Sequence, residues 1–414
     1  MQPVCRRAIQ GSPAMKPRAL MIFLLFVGYV IVYIDKTVMG FALLPIEREF
    51  NLPAEQLGYV TGVFFLAYSL FQIPAGWLND RFGFKKVLCA SLLLLGGFAL
   101  CFGLLGFGLG LLVTFRFLSG MGHSGYPCSC AKAVVANFPL EQRTFAQSIL
   151  LSSAGLAMTA GPLVAVYCLE HIGWRGSFSA LGLLAFAVAA CVLWLVPNPP
   201  RAAQRSADGA GNTYRTLLKT PIVLLLFVAI FCINIPSYGL MAWLPKFLVQ
   251  QRGMALGMSS LVVAAGGLGI WISSLGTGWL VGRYMQGREP LVIFCCSLLS
   301  ALCIWLVYTS TSAWGASVLL FLGYVFLMAS FVTVFTLPMK RLAPEVMGAA
   351  MGLINTGGTL GGFVAPIVMG YLITLSQGYA STFIFLALAM VVSGLVMLPL
   401  AVKPRQSLLN GGEL

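Results

Sequence analysis

GWLNDRFGFKK, residues 76–86, interrupts an otherwise apolar stretch with four charges: Asp80, Arg81, Lys85 and Lys86. The runs on either side, 56–78 and 86–106, match the ~20 apolar residues that a helix needs to cross a bilayer. The first part of the stretch returns as GWLVGR at 278–283. Pro162 and Pro366 repeat at nearly the same spacing, as do Glu141 after Pro139 and Glu345 after Pro344. The chain therefore reads as two related halves, each built of membrane-crossing helices.

The same ruler finds six runs over 19–43, 56–78, 86–106, 110–136, 145–169 and 176–197, with EHIGWR dividing the last two. Six more cover 221–244, 258–281, 290–309, 314–337, 346–374 and 380–401. PNPPRAAQRSADGAGNTYRTLLK, from Pro197 to Lys219, is rich in Pro, Gly, Ser and basic residues and reads as a polar, flexible connection. The expected organisation is a tail over 1–18, a half over 19–197, a linker over 198–220, a half over 221–401 and a tail over 402–414. MQPVCRRAIQGSPA precedes Met15, which reads as the initiator, and the first apolar run reads as a retained span with no cleavage site. The expected fold class is all-α integral membrane, with twelve helices in two pseudo-symmetric six-helix halves.

Composition agrees. The 414 residues are 59% hydrophobic and 9% charged, with mean hydropathy +0.93. A soluble domain carries ~25% charged residues, and a water-facing surface cannot be built from so few. The formal net charge of +14 does not point to nucleic acid, because the basic residues sit in short clusters between apolar runs. Nineteen Lys and Arg, from Arg6 through Arg81, Lys132, Arg201 and Arg283 to Arg405, fall on one side; Arg48, Arg175, Lys246 and Arg252 fall on the other. The excess marks the cytoplasmic side, so both termini and the linker are expected there, in a plasma (inner) membrane. The eleven cysteines lie mostly inside apolar runs and, with only His123 and His171 in the chain, make no metal site; they read as small apolar filler. No cofactor is expected.

Residues 76–86 resemble the signature of the major facilitator superfamily between its second and third spans, with Gly76, Leu78, Asp80, Arg81, Gly83, Lys85 and Lys86 at its fixed positions. The resemblance implies the major facilitator fold, with the solute site at mid-membrane between the halves. It also implies a latch in which Asp80 and Arg81 hold the halves together on the cytoplasmic side, Gly76, Gly83, Lys85 and Lys86 completing the gating loop. The other reading of the loop is a topology anchor. Narrower stretches are similar to the anion:cation symporter branch: YIDKTVMG at 33–40, with Lys36 where the branch has Arg, RFLSGMGHSGYP at 116–127, GWRGSF at 173–178 and YGLMAWLPKFLVQQRG at 238–253. His123 stands where the branch usually has Glu.

A charge at mid-membrane costs ~2.5–3.5 kcal/mol even on lenient scales, so it faces a partner or a wet cavity. Asp35 is the one acidic residue well inside a span, and Lys36 and Arg116 are the deep basic ones, with Lys132 nearer the cytoplasmic end as a snorkelling residue. Asp35 and Lys36 point about 100° apart around one helix, so each needs something across the cavity. Arg116 and His123, seven residues apart, share a helix face, with Gly120 between them where a helix or ligand could come close. The four residues are expected around one chamber, Asp35 and His123 as proton-coupling groups and Lys36 and Arg116 as solute-binding ones. An Arg116–Asp35 strut and a structural His123 are the other readings. Tyr33, Tyr68, Gln72, Tyr126, Asn234, Tyr238, Asn355 and Thr359 are candidates for the rest of the lining, with helix–helix hydrogen bonds as the alternative for the polar pairs. The glycine-rich run at 357–366 reads as close packing or bending.

Two cations against one carboxylate leave the chamber positive, and a proton on Asp35 makes it more so. Proton and anion then favour each other's binding. The sequence therefore points to a monomeric, proton-coupled importer of a small organic anion, a sugar acid or other carboxylate, working by alternating access in the lipid bilayer. A proton-driven exporter of a drug-like or metal-chelating solute is the second reading. A channel or non-transporting sensor is a remote third. An enzyme would need paired carboxylates, a metal cluster or an activated nucleophile, and none is legible.

Overall fold

The computed structural model describes residues 15–196, 217–342 and 346–402. Most of the expected tails and of the linker, and Pro344 and Glu345 of the repeat, lie outside the described residues. Among those described, all regular structure is helical: α1 Met15–Phe50, α2 Ala54–Phe82, α3 Phe84–Leu105, α4 Leu109–Asn137 and α5 Leu140–Leu195 in the first half. The second half holds α6 Pro221–Gln250, α7 Leu256–Tyr284, α8 Glu289–Thr309, α9 Ala313–Arg341, α10 Met347–Ser376 and α11 Ala380–Val402. Ten of the eleven contain stretches long and apolar enough to cross a membrane.

The two departures from the expected spans have physical causes. α5 has 56 residues, about 84 Å of helix, far more than one crossing. It is two antiparallel spans that remain helical up to a single reversing residue, Gly173, at φ 69 and ψ 176, a conformation that only glycine takes without strain. EHIGWR therefore divides the spans at one residue instead of along a loop. Ala146 and Val192 share a core cluster with Met21 and Phe84 at one end, whereas Val166 and Trp174 pack with Ile46 at the other. With α5 counted twice, the described helices make twelve crossings. The exception to apolarity is α4, which carries Arg116, Ser119, His123, Ser124, Ser129 and Lys132. It lies against α2 and α3 with most of that polar face buried, so protein groups meet it where lipid would not.

The halves repeat each other's contacts. α1 packs on α5, α2 on α4, α3 on α4 and α5; likewise α6 packs on α10, α7 on α9, α8 on α9 and α11. Across the interface α2 meets α10, α5 meets α7 and α1 meets α6. The start of α1, the 83 turn and the 138 turn share one end of the bundle, called here the basic end. Gly83, at φ 82, makes the α2–α3 turn, as the sequence requires.

The interface is zipped from the opposite end to mid-membrane only. Along α2 and α10, Ala54 meets Gly370, Gly58 meets Pro366, Phe65 meets Gly362, and Ser69 Oγ donates to Thr359 Oγ1 at 2.6 Å. That register would next bring Gly76 opposite Gly352, yet both have open space beside them. Along α5 and α7, Met158 meets Gly267 and Gly155 meets Trp271, after which Gly276 and Gly278 are likewise open and Leu151 and Leu275 are exposed. The halves part towards the basic end.

Candidate functional site

Asp35 sits at the middle of α1 with no solvent exposure. Arg116 Nη1 donates to both its oxygens, at 3.0 Å to Oδ2 and 3.3 Å to Oδ1. His123 Nε2 lies 3.3 Å from the same Oδ2. The seven-residue spacing on α4 thus delivers two groups to one carboxylate, as read from the sequence. Gly120 sits between them against α2, where a Cβ would stand 2.1 Å from the Phe64 carbonyl oxygen. Phe64 fills the gap from the other side: its ring lies 4.6 Å from the Arg116 guanidinium and 4.6 Å from the His123 ring, edge to face. Four buried polar atoms here, Arg116 Nε, Ser119 Oγ and both ring nitrogens of His123, have no hydrogen-bond partner among the described residues, so His123 Nε2 lies near Asp35 Oδ2 without hydrogen-bond geometry.

Lys36, one residue on, has different surroundings. It is 6% exposed, and its ammonium lies 5.0 Å from the ring centres of Tyr33 and Tyr68 and 5.9 Å from that of Phe64. No carboxylate pairs with it among the described residues. Aromatic faces attract a cation but supply no compensating charge. Lys36, Arg116, Thr61 and Phe65 from one half, with Tyr238 and Met241 from the other, line a cavity of about 10 Å³ between the halves. Tyr238 packs against Phe65 across the interface, ring centres 4.3 Å apart and tilted by 49°.

The remaining candidates divide. Gln72 lies one turn beyond Tyr68, its Oε1 buried without a partner among the described residues. Tyr126 donates to the Leu25 carbonyl at 2.8 Å and meets Tyr29 edge to face, inside the first half's packing behind the chamber. Asn234 donates to Ile230 O and rests on Gly358, at the α6–α10 contact. Thr359 joins the halves through Ser69, and Asn355 is half-buried one turn nearer the basic end. At the loop, Asp80 is 65% exposed and accepts from Lys132 of α4, in its own half. It bridges no halves in this structure, because they have parted there; Lys132, read as a snorkelling residue, is its partner instead. Arg81 covers the rings of Trp77 and Phe82, and Lys86 is exposed with Lys85 half so. The side chain of Gly282's position and that of Lys340 lie outside the described residues.

Sequence reasoning missed Thr61, Phe64 and Met241, which reach the chamber only through helix packing. It also passed over Glu47, whose carboxylate accepts from Lys246 Nζ at 2.6 Å and Gln250 Nε2 at 2.7 Å across the interface. A signal existed: Glu47 follows Lys36 by eleven residues, three helical turns, and so shares its face of α1.

Residues 25–366 match the model of the Major Facilitator Superfamily. A protein named as a probable sulfoacetate transporter of Cupriavidus necator is 29% identical, over 88% of this chain and 89% of its own length. One named as a probable galactarate/D-glucarate transporter of Escherichia coli K12 is 26% identical, over 89% and 91%. The crystal structure of a D-xylose-proton symporter superposes with a TM-score of 0.75 at 16% identity, covering 92% of this chain and 97% of that one. That likeness speaks for the fold, and the twelve crossings in two repeated halves agree with it. The chain belongs to the Major Facilitator Superfamily, is most like its anion:cation symporter branch, and is a multi-pass membrane transporter of a small-molecule solute, not an enzyme.

Proposed function

We propose that the chain imports a small organic anion, a sugar acid or another carboxylate or sulfonate, by proton symport with alternating access. The observation that carries this reading is Lys36: a buried cation, walled by rings, unmatched by any carboxylate among the described residues, in the cavity between the halves. A buried charge without a partner is costly, and an anionic solute supplies the partner. Arg116 is committed to Asp35 and joins the solute only when that pair loosens. A proton on Asp35, with His123 beside the same oxygen as a second site for it, removes the negative charge that holds Arg116. Proton and anion thereby stabilise each other's binding. The cavity has room for about one water, so the halves must part around it to admit a solute. Parting at the basic end is the cytoplasm-open member of the cycle, with both termini cytoplasmic and the chain a monomer in the plasma membrane.

A thermal-shift and calorimetric panel on purified protein tests the anion reading. D-glucarate and sulfoacetate should bind wild type, bind Lys36→Gln at least tenfold more weakly, and leave Lys36→Arg near wild type. Equal affinity in Lys36→Gln would remove Lys36 from the site. The aromatic walls from Tyr33, Phe65, Tyr68 and Tyr238 would also suit an exporter of a drug-like solute; binding of planar hydrophobic compounds with no binding of organic anions would favour that reading.

A further inference from the structure

Glu47 lies near the end of α1, about 16 Å beyond Lys36 along the helix axis. Both its oxygens are held by donors from the other half. Lys246 Nζ donates to Oε1 at 2.6 Å and Gln250 Nε2 to Oε2 at 2.7 Å. The Tyr379 hydroxyl donates in turn to Gln250 Oε1 at 3.3 Å, which fixes the amide's orientation. Lys246 is 2% exposed and lies over the fully buried Trp243 at 5.2 Å. Lys246 is one turn beyond Ala242, and Met241 of the same stretch lines the central cavity. An ammonium and a primary amide, spaced to take the two oxygens of one carboxylate and braced from behind, form a receptor for a carboxylate. In this structure the carboxylate it holds belongs to the opposite half.

We propose that Lys246 and Gln250 form a carboxylate-binding subsite of the C-terminal half, which Glu47 fills while this end is shut and which receives the anionic group of an arriving solute when it opens. Alternating access requires α1 and α6 to separate here, and separation withdraws Glu47 while leaving the two donors in place on one helix. The solute then meets this subsite first and Lys36 second, along one face of the interface. Glu47 returning to its donors displaces the solute inward and closes the mouth behind it. The subsite stands on the geometry alone; its use by solute rests on the organic-anion reading above.

The test is chemical rescue in the full chain, read by hydrogen–deuterium exchange over the opposite ends of α1 and α6. Glu47→Ala should exchange several-fold faster there than wild type, and acetate should restore protection where chloride at equal ionic strength does not. In Glu47→Ala/Lys246→Gln acetate should do nothing. Acetate no better than chloride, or equally effective in the double variant, would overturn the subsite. Should Glu47→Ala not fold, Glu47→Ser leaves the same space for acetate. D-glucarate in place of acetate addresses the solute: protection supports its passage through the subsite, and acetate protection without D-glucarate protection would keep the subsite and overturn that passage.

Discussion

Lys36 and Arg116 are both buried cations, and the structure gives them different work. Arg116 is committed to Asp35 through Nη1, whereas Lys36 faces rings and pairs with no carboxylate among the described residues. Removing Arg116 strands a buried carboxylate, a change that costs about 3–5 kcal/mol. Arg116→Ala should therefore lower the melting temperature markedly, and Arg116→Ala/Asp35→Asn should recover much of the loss because no charge is left alone. Melting curves of the two in detergent check this; equal destabilisation would mean that Arg116 acts through packing on Phe64. Asp35→Asn should abolish pH-driven accumulation and preserve solute exchange, measured as counterflow at zero pH gradient. Asp35, Arg116 and His123 were legible because a charge in a span demands a partner and a seven-residue spacing fixes a face. The cage around Lys36 was only half legible, since the packing of α2 against α1 and α4 decides that Phe64 joins Tyr33 and Tyr68.

At the level of elements, α4 and the 76–86 loop carry the local rules. α4 is the helix that fails the apolarity test, and its polarity is the trace of the chamber it lines. Gly120 lets α2 touch it; Gly120→Val should push α2 away, weaken solute binding and lower thermal stability, whereas a valine at exposed Gly276 should do neither. Asp80 and Lys132 tie α2 to α4 at the basic end. We propose that Asp80 exchanges this partner for the facing half when the basic end shuts. Asp80→Asn should then shift the population towards the form open at that end and slow transport. Contacts of a charge with a helix terminus are worth ~0.3–1 kcal/mol, up to ~2 when partly buried, enough for a several-fold shift. Gly282→Ala, at the matching place in the second half, should shift it far less. Spin-label distances across the basic end report both, and unchanged distributions in Asp80→Asn would dismiss the latch. The reversal inside α5 shows what sequence reading blurs. A charged hexapeptide reads as a break between two spans, but a single glycine at positive φ turns the chain, so helix persists on both sides.

Over the whole molecule, repetition was the most legible feature. GWLNDR and GWLVGR announce halves that the structure shows making the same contacts, α1 with α5 as α6 with α10. The sequence held no sign of which end is shut, because that depends on how α2 meets α10 and α5 meets α7. Glu47 was overlooked for the same reason: near a helix end it reads as a topology charge until Lys246 is seen opposite. A cavity of about 10 Å³ between the halves, with that pair joining them at one end and the helices parted at the other, is what one station of an alternating-access cycle would present. The most direct test of the proposed activity is accumulation of D-glucarate and sulfoacetate in proteoliposomes of the purified chain with an alkaline interior. The expected result is uphill accumulation that collapses with a protonophore and is absent in Lys36→Gln. Accumulation unaffected by the protonophore, or no uptake of either anion alongside pH-driven flux of a drug-like solute, would contradict it.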